Sequence, residues 1–181
     1  MFNLKSWKPV PTGDGQKLSL RVQSYGSGYI SYSASFTEPW LGGKKPNSLS
    51  VSYYHSLFSN GLPKDNPSRQ SFVINGITVG LGKRLTWPDD FFTFYQALSY
   101  QRSKVKDYPG LFIVDNGYFN NFSYTATLGR SSQDQIIYPR RGSNISLSLQ
   151  LTPPYSLLNN KDYTDIADDE KYKWVEYHRW M

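Results

Sequence analysis

The sequence predicts an all-β chain, an antiparallel meander forming part of a transmembrane β-barrel. Three observations carry that prediction. Apolar and polar residues alternate with period two over successive short stretches; the polar positions hold serine, threonine and glycine rather than charges; and connectors of two chemical kinds take turns along the chain. Side chains of a strand point alternately to opposite faces, so each stretch has one greasy and one wet side. No run approaches the ~20 continuous apolar residues of a membrane helix, and the mean hydropathy is -0.57. Any spanning structure must therefore be built from strands.

Taken in order, Gln16 to Val22 sets Leu18, Leu20 and Val22 against Ser19 and Arg21. Ile30, Tyr32, Ala34 and Phe36 alternate with Ser31, Ser33 and Ser35, and Leu49, Val51 and Tyr53 with Ser48, Ser50 and Ser52. Ile77, Val79 and Leu81 fall out of phase with Phe72 and Ile74; Gly76 lies at the change, where a β-bulge would re-aim the strand. Phe92, Phe94, Leu98 and Tyr100 share their face with Gln96. Phe122, Tyr124, Ala126 and Leu128 oppose Ser123, Thr125 and Thr127, and Ile145, Leu147, Leu149 and Leu151 oppose Ser146, Ser148 and Gln150. Trp174 to Met181 reads as the beginning of another strand. None of these apolar faces carries Lys, Arg, Asp or Glu. A charge facing lipid at mid-bilayer costs about 2 to 4 kcal/mol, so that absence is expected of a membrane wall. The predicted lipid-facing residues are Leu18, Leu20, Val22, Ile30, Tyr32, Phe36, Leu49, Val51, Tyr53, Phe122, Tyr124, Leu128, Ile145, Leu147, Leu149 and Leu151.

A soluble β-sandwich alternates in the same way, so alternation alone leaves both architectures open. The polar faces tip the balance toward the barrel. A sandwich's outer face meets bulk water and carries Lys, Glu and Arg, whereas small neutral side chains suit a crowded lumen.

The 181 residues suffice for one domain, and 14 Gly with 11 Pro suit strands joined by many turns. With no Cys, disulfide scaffolds, redox chemistry and thiolate metal sites are excluded. The net charge of +6 is scattered through turns without interleaved aromatic platforms, which argues against nucleic acid. His55 and His178 have no partner at metal-ligand spacing and are expected to face solvent or lumen. The acidic run Asp162, Asp165, Asp168, Asp169 and Glu170 lacks the glycine and spacing of a calcium loop and reads as a solvated loop. No nucleophile elbow or phosphate loop occurs, so neither enzyme activity nor a cofactor is expected. The start, Met1 to Lys8, lacks the apolar core of a secretion signal, and both ends read as cut.

One kind of connector couples an aromatic, a proline and basic residues: Glu38 to Pro46 with Pro39, Trp40, Gly42, Gly43, Lys44 and Lys45; then Lys83, Arg84, Trp87 and Pro88; then Tyr138, Pro139, Arg140, Arg141 and Gly142. The other kind is a polar loop: Gly26 to Gly28, Ser59 to Arg69, Lys104 to Tyr118, and Pro153 to Tyr172. Successive connections of a meander fall on opposite ends of the sheet, so each kind occupies its own rim. Trp40, Trp87 and Tyr138 are suited to a membrane interface, with nearby Lys and Arg snorkelling toward headgroups.

The run Phe36-Thr37-Glu38-Pro39-Trp40-Leu41-Gly42-Gly43-Lys44-Lys45-Pro46-Asn47-Ser48 resembles the strand end and short periplasmic turn of the BamA family, the outer-membrane barrel-assembly proteins (bacterial surface antigen barrel domain). Asp134 to Ser143 looks like that family's acidic-x-x-x-aromatic-Pro-x-x-Gly turn, and Leu149 to Pro154 followed by Tyr172-Lys173-Trp174 is similar to its next strand, loop and strand start. The resemblance implies about seven to eight strands of a sixteen-strand barrel, roughly from the second or third strand to the start of the tenth. Residues 1–181 would then be a partial outer-membrane barrel domain, without POTRA repeats or the first and last barrel strands. It further implies a bacterial outer-membrane location, with the Trp/Pro/basic turns toward the periplasm and the polar loops outside. Implied partners are outer-membrane lipid and lipopolysaccharide, unfolded outer-membrane clients and assembly-complex lipoproteins. A small channel or adhesin barrel, or a soluble carbohydrate-binding sandwich, is the alternative.

Overall fold

The computed structural model describes residues 15–42, 47–108, 115–135, 137–155 and 173–181. They form one antiparallel sheet whose spatial order is the chain order: β1 (Lys17–Tyr25), β2 (Tyr29–Glu38), β3 (Asn47–Ser59), β4 (Ser71–Arg84), β5 (Phe92–Lys106), β6 (Gly117–Ser131), β7 (Asn144–Leu151) and β8 (His178–Trp180). The sheet is open, an antiparallel meander as the sequence predicts.

Register turns the alternation into two continuous surfaces. Leu18 pairs with Phe36, and the row continues through Val51, Val79, Leu98, Tyr124 and Leu151. The next row is Leu20, Ala34, Tyr53, Ile77, Tyr100 and Phe122. Directly opposed residues share a face, so these rows make one apolar surface. Between them runs the opposite face: Ser19, Ser35, Ser52, Thr78, Ser99 and Ser123. A one-residue slip between any two strands would set hydroxyls among the aliphatics, which fixes the register.

No second layer lies over either face among the described residues, where the buried apolar side chains are Ala97 and Val105. A sandwich needs a second sheet about 10 Å away. Leu147, which such a sheet would bury, is 52% exposed.

Two expectations are corrected. Gly76 marks no bulge: β4 pairs one-to-one with β3 and β5 along its whole length. Phe72 and Ile74 lie on the small-polar face, where Phe72 meets Phe58 at 6.1 Å and Phe58 meets Tyr29 at 4.8 Å. The phase changes because the faces exchange character near the polar-loop rim, with the strand itself continuous. The strands also run further than the periodicity suggests. Lys104 and Tyr118, read as loop residues, pair within β5 and β6, while Lys83 and Arg84 end β4.

β7 is shorter than β6 for a local reason. After Leu151 come Thr152, Pro153 and Pro154, and proline offers no N–H for a ladder. The freed upper edge of β6 is taken up by residues 173–175: Asn120 N–H donates to the Lys173 carbonyl (2.8 Å) and Val175 N–H to the Asn120 carbonyl (3.0 Å).

Candidate bilayer-facing wall and its two rims

All the predicted lipid-facing residues fall on the apolar face by register. The same face holds Ile77, Val79, Leu81, Leu98 and Tyr100. Polar residues also enter its central rows: Gln96, whose side-chain oxygen accepts from the Tyr124 hydroxyl at 2.8 Å, and His178, which pairs with Leu151 on this face rather than standing in solvent or lumen.

Polar residues enter the apolar band near both ends, although Ile30, Leu57 and Val73 extend it past them toward the polar-loop rim. Toward the polar-loop rim the row is Val22, Tyr32, His55, Asn75, Arg102 and Asn120. His55 stands on this face rather than in solvent or lumen, stacked on Tyr32 at 5.0 Å and bonded to Asn75 at 2.6 Å. Asn120 accepts from the Tyr100 hydroxyl at 2.9 Å. At the other end stand Glu38, Lys83 and Arg130, so the complete face does carry charges, confined to its margins. From Asn75 to Lys83 the strand spans about 27 Å at ~3.4 Å per residue. At a tilt of ~40° that is about 21 Å of height, close to the ~25 Å of an outward-facing barrel band.

The Trp/Pro/basic connectors share one rim and the polar loops the other. In the β2–β3 connector Pro39 is half-buried, Trp40 exposed, and Gly42 takes φ 85°; Gly43, Lys44 and Lys45 lie outside the described residues. Trp40 N–H donates to the Glu38 carboxylate at 3.1 Å, and Leu41 N–H to the Asn47 carbonyl at 2.8 Å. Glu38 also accepts from the Gln16 amide. In the β4–β5 connector Trp87 is 82% exposed beside an exposed Pro88, and Arg84 Nε donates to the Asp90 carbonyl at 2.6 Å. Tyr138 is 86% exposed at φ 57°, next to exposed Pro139, Arg140 and Arg141. The Trp87 and Tyr138 rings project from the rim, while Trp40 is half covered.

The sequence placed Asp134 at the acidic position of the aromatic-Pro turn but not the contacts that hold this rim together. Asp134 Oδ1 accepts from the backbone N–H groups of Arg140 (3.1 Å) and Arg141 (3.3 Å), closing the β6–β7 turn. The Arg141 bond foremost, then those from Arg140 and the local backbone, hold its carboxyl below the ordinary value against partial desolvation. A depressed carboxylate stabilises the fold above its unfolded pKa and loses that contribution as pH falls through the folded one. The stability advantage of the wild type over Asp134→Asn is therefore expected at neutral pH and should shrink below about pH 4. Urea midpoints of both proteins across that range check it; a difference independent of pH would contradict the carboxylate's role.

A second link joins two turns. Arg130 on β6 forms an ion pair with Asp89 of the β4–β5 connector at 2.8 Å and also donates to Ser143 at 2.8 Å. Desolvation pulls the Asp89 carboxyl up, but the Arg130 bond, the Phe91 N–H and the Arg130 charge outweigh it. The hollow beside this link has a volume of about 360 Å³ and is lined by Arg84, Phe91, Thr93 and Ile145 among others.

On the small-polar face, hydroxyls pair across strands: Ser31 with Ser56 (2.9 Å), Thr78 with Ser99 (2.9 Å) and Thr127 with Ser148 (2.8 Å). Two tyrosines lie over glycines of β4. Tyr54 reaches from β3 across Gly76 to Gln101 on β5 (2.8 Å), and Tyr95 from β5 across Gly80 to Ser50 on β3 (3.2 Å). A Cβ on Gly76 would lie 2.2 Å from the Tyr54 ring, and one on Gly80 2.0 Å from the Tyr95 hydroxyl.

A family model described as the Omp85 superfamily domain matches residues 12–176, most of the chain. No curated protein and no solved structure matches it.

Proposed function

This chain belongs to the Omp85 superfamily, and on that premise we propose that it is barrel wall of a BamA-like factor that folds and inserts β-barrel proteins into the bacterial outer membrane. The observation that carries the reading is the uncovered apolar face, backed by hydroxyls and glycines. Superfamily membership supports a role in outer-membrane protein insertion or transport. The finer reading, assembly, leans on the likeness of the Phe36 to Ser48 and Asp134 to Ser143 runs to that family's turns.

The work expected of such a factor needs neither a catalytic side chain nor a cofactor. Unpaired backbone groups are costly in hydrocarbon, so a client strand that pairs with an exposed strand edge of the factor crosses a lower barrier. In this scheme the seam between first and last barrel strands receives the client, and the strands described above hold the wall beside it. Trp40, Trp87 and Tyr138 anchor the periplasmic rim, Arg140 and Arg141 reach headgroups, and assembly lipoproteins are partners on that side. Depleting the full-length gene product in its host should lower the levels of other outer-membrane barrels. Normal levels on depletion would refute the assembly role.

A further inference from the structure

We propose that the apolar face carries, at its polar-loop rim, a docking site for the phosphates of a phosphorylated lipid headgroup in the outer leaflet, formed by Arg102, Lys104 and Lys106 of β5 around Tyr118 of β6. It deepens the membrane-wall reading and rests on it. The three cations sit at alternate positions of one strand, so all point to the same face as Tyr100 and Leu98 below them. All three are exposed. Arg102 lies about 7 Å along the strand from Tyr100, and Lys104 about 14 Å. This is the depth at which a long basic side chain leaves the apolar band and reaches a headgroup.

The Tyr118 ring holds two of the cations, Arg102 and Lys104, without neutralising them. The Tyr118 ring receives the Arg102 guanidinium at 4.6 Å and the Lys104 ammonium at 5.3 Å. A cation over an aromatic face keeps its charge and its outward donors. The Asp89–Arg130 ion pair lies on the opposite rim. In the β5–β6 connection the Asp107 carboxylate accepts from the Asn116 amide at 3.1 Å, and the Asp115 backbone carbonyl accepts from the Tyr108 N–H at 3.3 Å. Arg102 shares its row with His55, Asn75 and Asn120, where His55 bonds Asn75 and Asn120 accepts from Tyr100, and no carboxylate stands among them. A multiply charged anion within a Debye length of the bilayer surface is the complement of three such cations. Continuity with the apolar band favours one that arrives tethered to acyl chains.

The full-length protein is reconstituted in phosphatidylcholine vesicles containing a spin-labelled bisphosphorylated glycolipid, and the lipid's association relative to labelled phosphatidylcholine is measured. Wild type should prefer the glycolipid, and R102Q/K104Q should lose that preference by about twenty-fivefold, at roughly fivefold per cation. K64Q/R69Q removes the same charge from the β3–β4 loop of the same rim and should leave the preference intact. Tyr118→Leu should weaken it and Tyr118→Phe restore it, as expected of a positioning residue. Equal loss in both double variants would mean net charge, not position, and would overturn the site. Abolition of the preference by inorganic phosphate at matched ionic strength would overturn the commitment to a lipid source. Protease protection of the strands in the same vesicles separates the two levels: unprotected strands refute the membrane wall itself, whereas protected strands without lipid preference refute this site alone.

Discussion

Arginine in place of Val79 is expected to destabilise the membrane-inserted protein by about 2–4 kcal/mol. Val79 stands in the middle row of the apolar face, between Val51 and Leu98, far from either polar margin. A guanidinium there has no water within reach and no carboxylate beside it, and β4 is too deep for it to snorkel to a headgroup. The informative comparison is one residue away. Thr78 points to the other face and bonds Ser99 at 2.9 Å, so Thr78→Arg forfeits that bond, worth about 1 kcal/mol, and keeps its charge in the aqueous interior. Reversible urea unfolding of full-length protein from phospholipid vesicles measures both. Equal penalties at the two positions would remove the distinction between lipid and lumen on which the wall depends.

The second large effect is expected at Gly142. It closes the β6–β7 turn at φ 99°, and a Cβ there would lie 2.2 Å from the Ser132 carbonyl oxygen and 2.7 Å from the Gln133 Cα. Backbone strain alone at such a φ costs about 1–3 kcal/mol. The overlap comes on top, because the obstructing atoms are main chain and cannot swing aside. Gly142→Ala must therefore open the turn, breaking the 2.9 Å bond from Ser132 N–H to the Ser143 carbonyl and moving the hydroxyl that Arg130 holds. Gly26 is the control: its φ is 62°, yet nothing lies within 4 Å of a Cβ there, so Gly26→Ala should cost only the strain. The yield of heat-modifiable folded protein and its urea midpoint report the difference, and an undisturbed Gly142→Ala would show that the turn relaxes freely.

Much of the fold was legible because membrane walls use the plainest code in protein sequences. Leu147, Leu149 and Leu151 alternate with Ser146, Ser148 and Gln150, and nothing but strand period explains that spacing. Where the code failed, tertiary placement had changed the meaning of a residue type. Phe72 and Ile74 looked like a phase error because their inward face, near the rim, is aromatic rather than hydroxylated. Lys104 and Lys106 looked like a loop because charge ends an apolar pattern, although β5 continues through them. Continuing the alternation past Tyr100 would have found them. The rim's contacts were illegible for another reason. Asp134 works through bonds to two backbone amides and Arg130 through a partner 41 residues away, and neither contact leaves a periodic trace.

The two phenols laid over β4 give this region a mechanical property that ladder bonds alone lack. Tyr54 and Tyr95 run in opposite senses over the same strand, β3 to β5 and β5 to β3, like the crossed diagonals of a trussed panel. Sliding β3 past β5 in either direction stretches one diagonal, and tilting either ring away strips its hydroxyl of Gln101 or Ser50. Shear that relaxes a neighbouring part of the sheet is thus blocked here, and the three strands move as one plate.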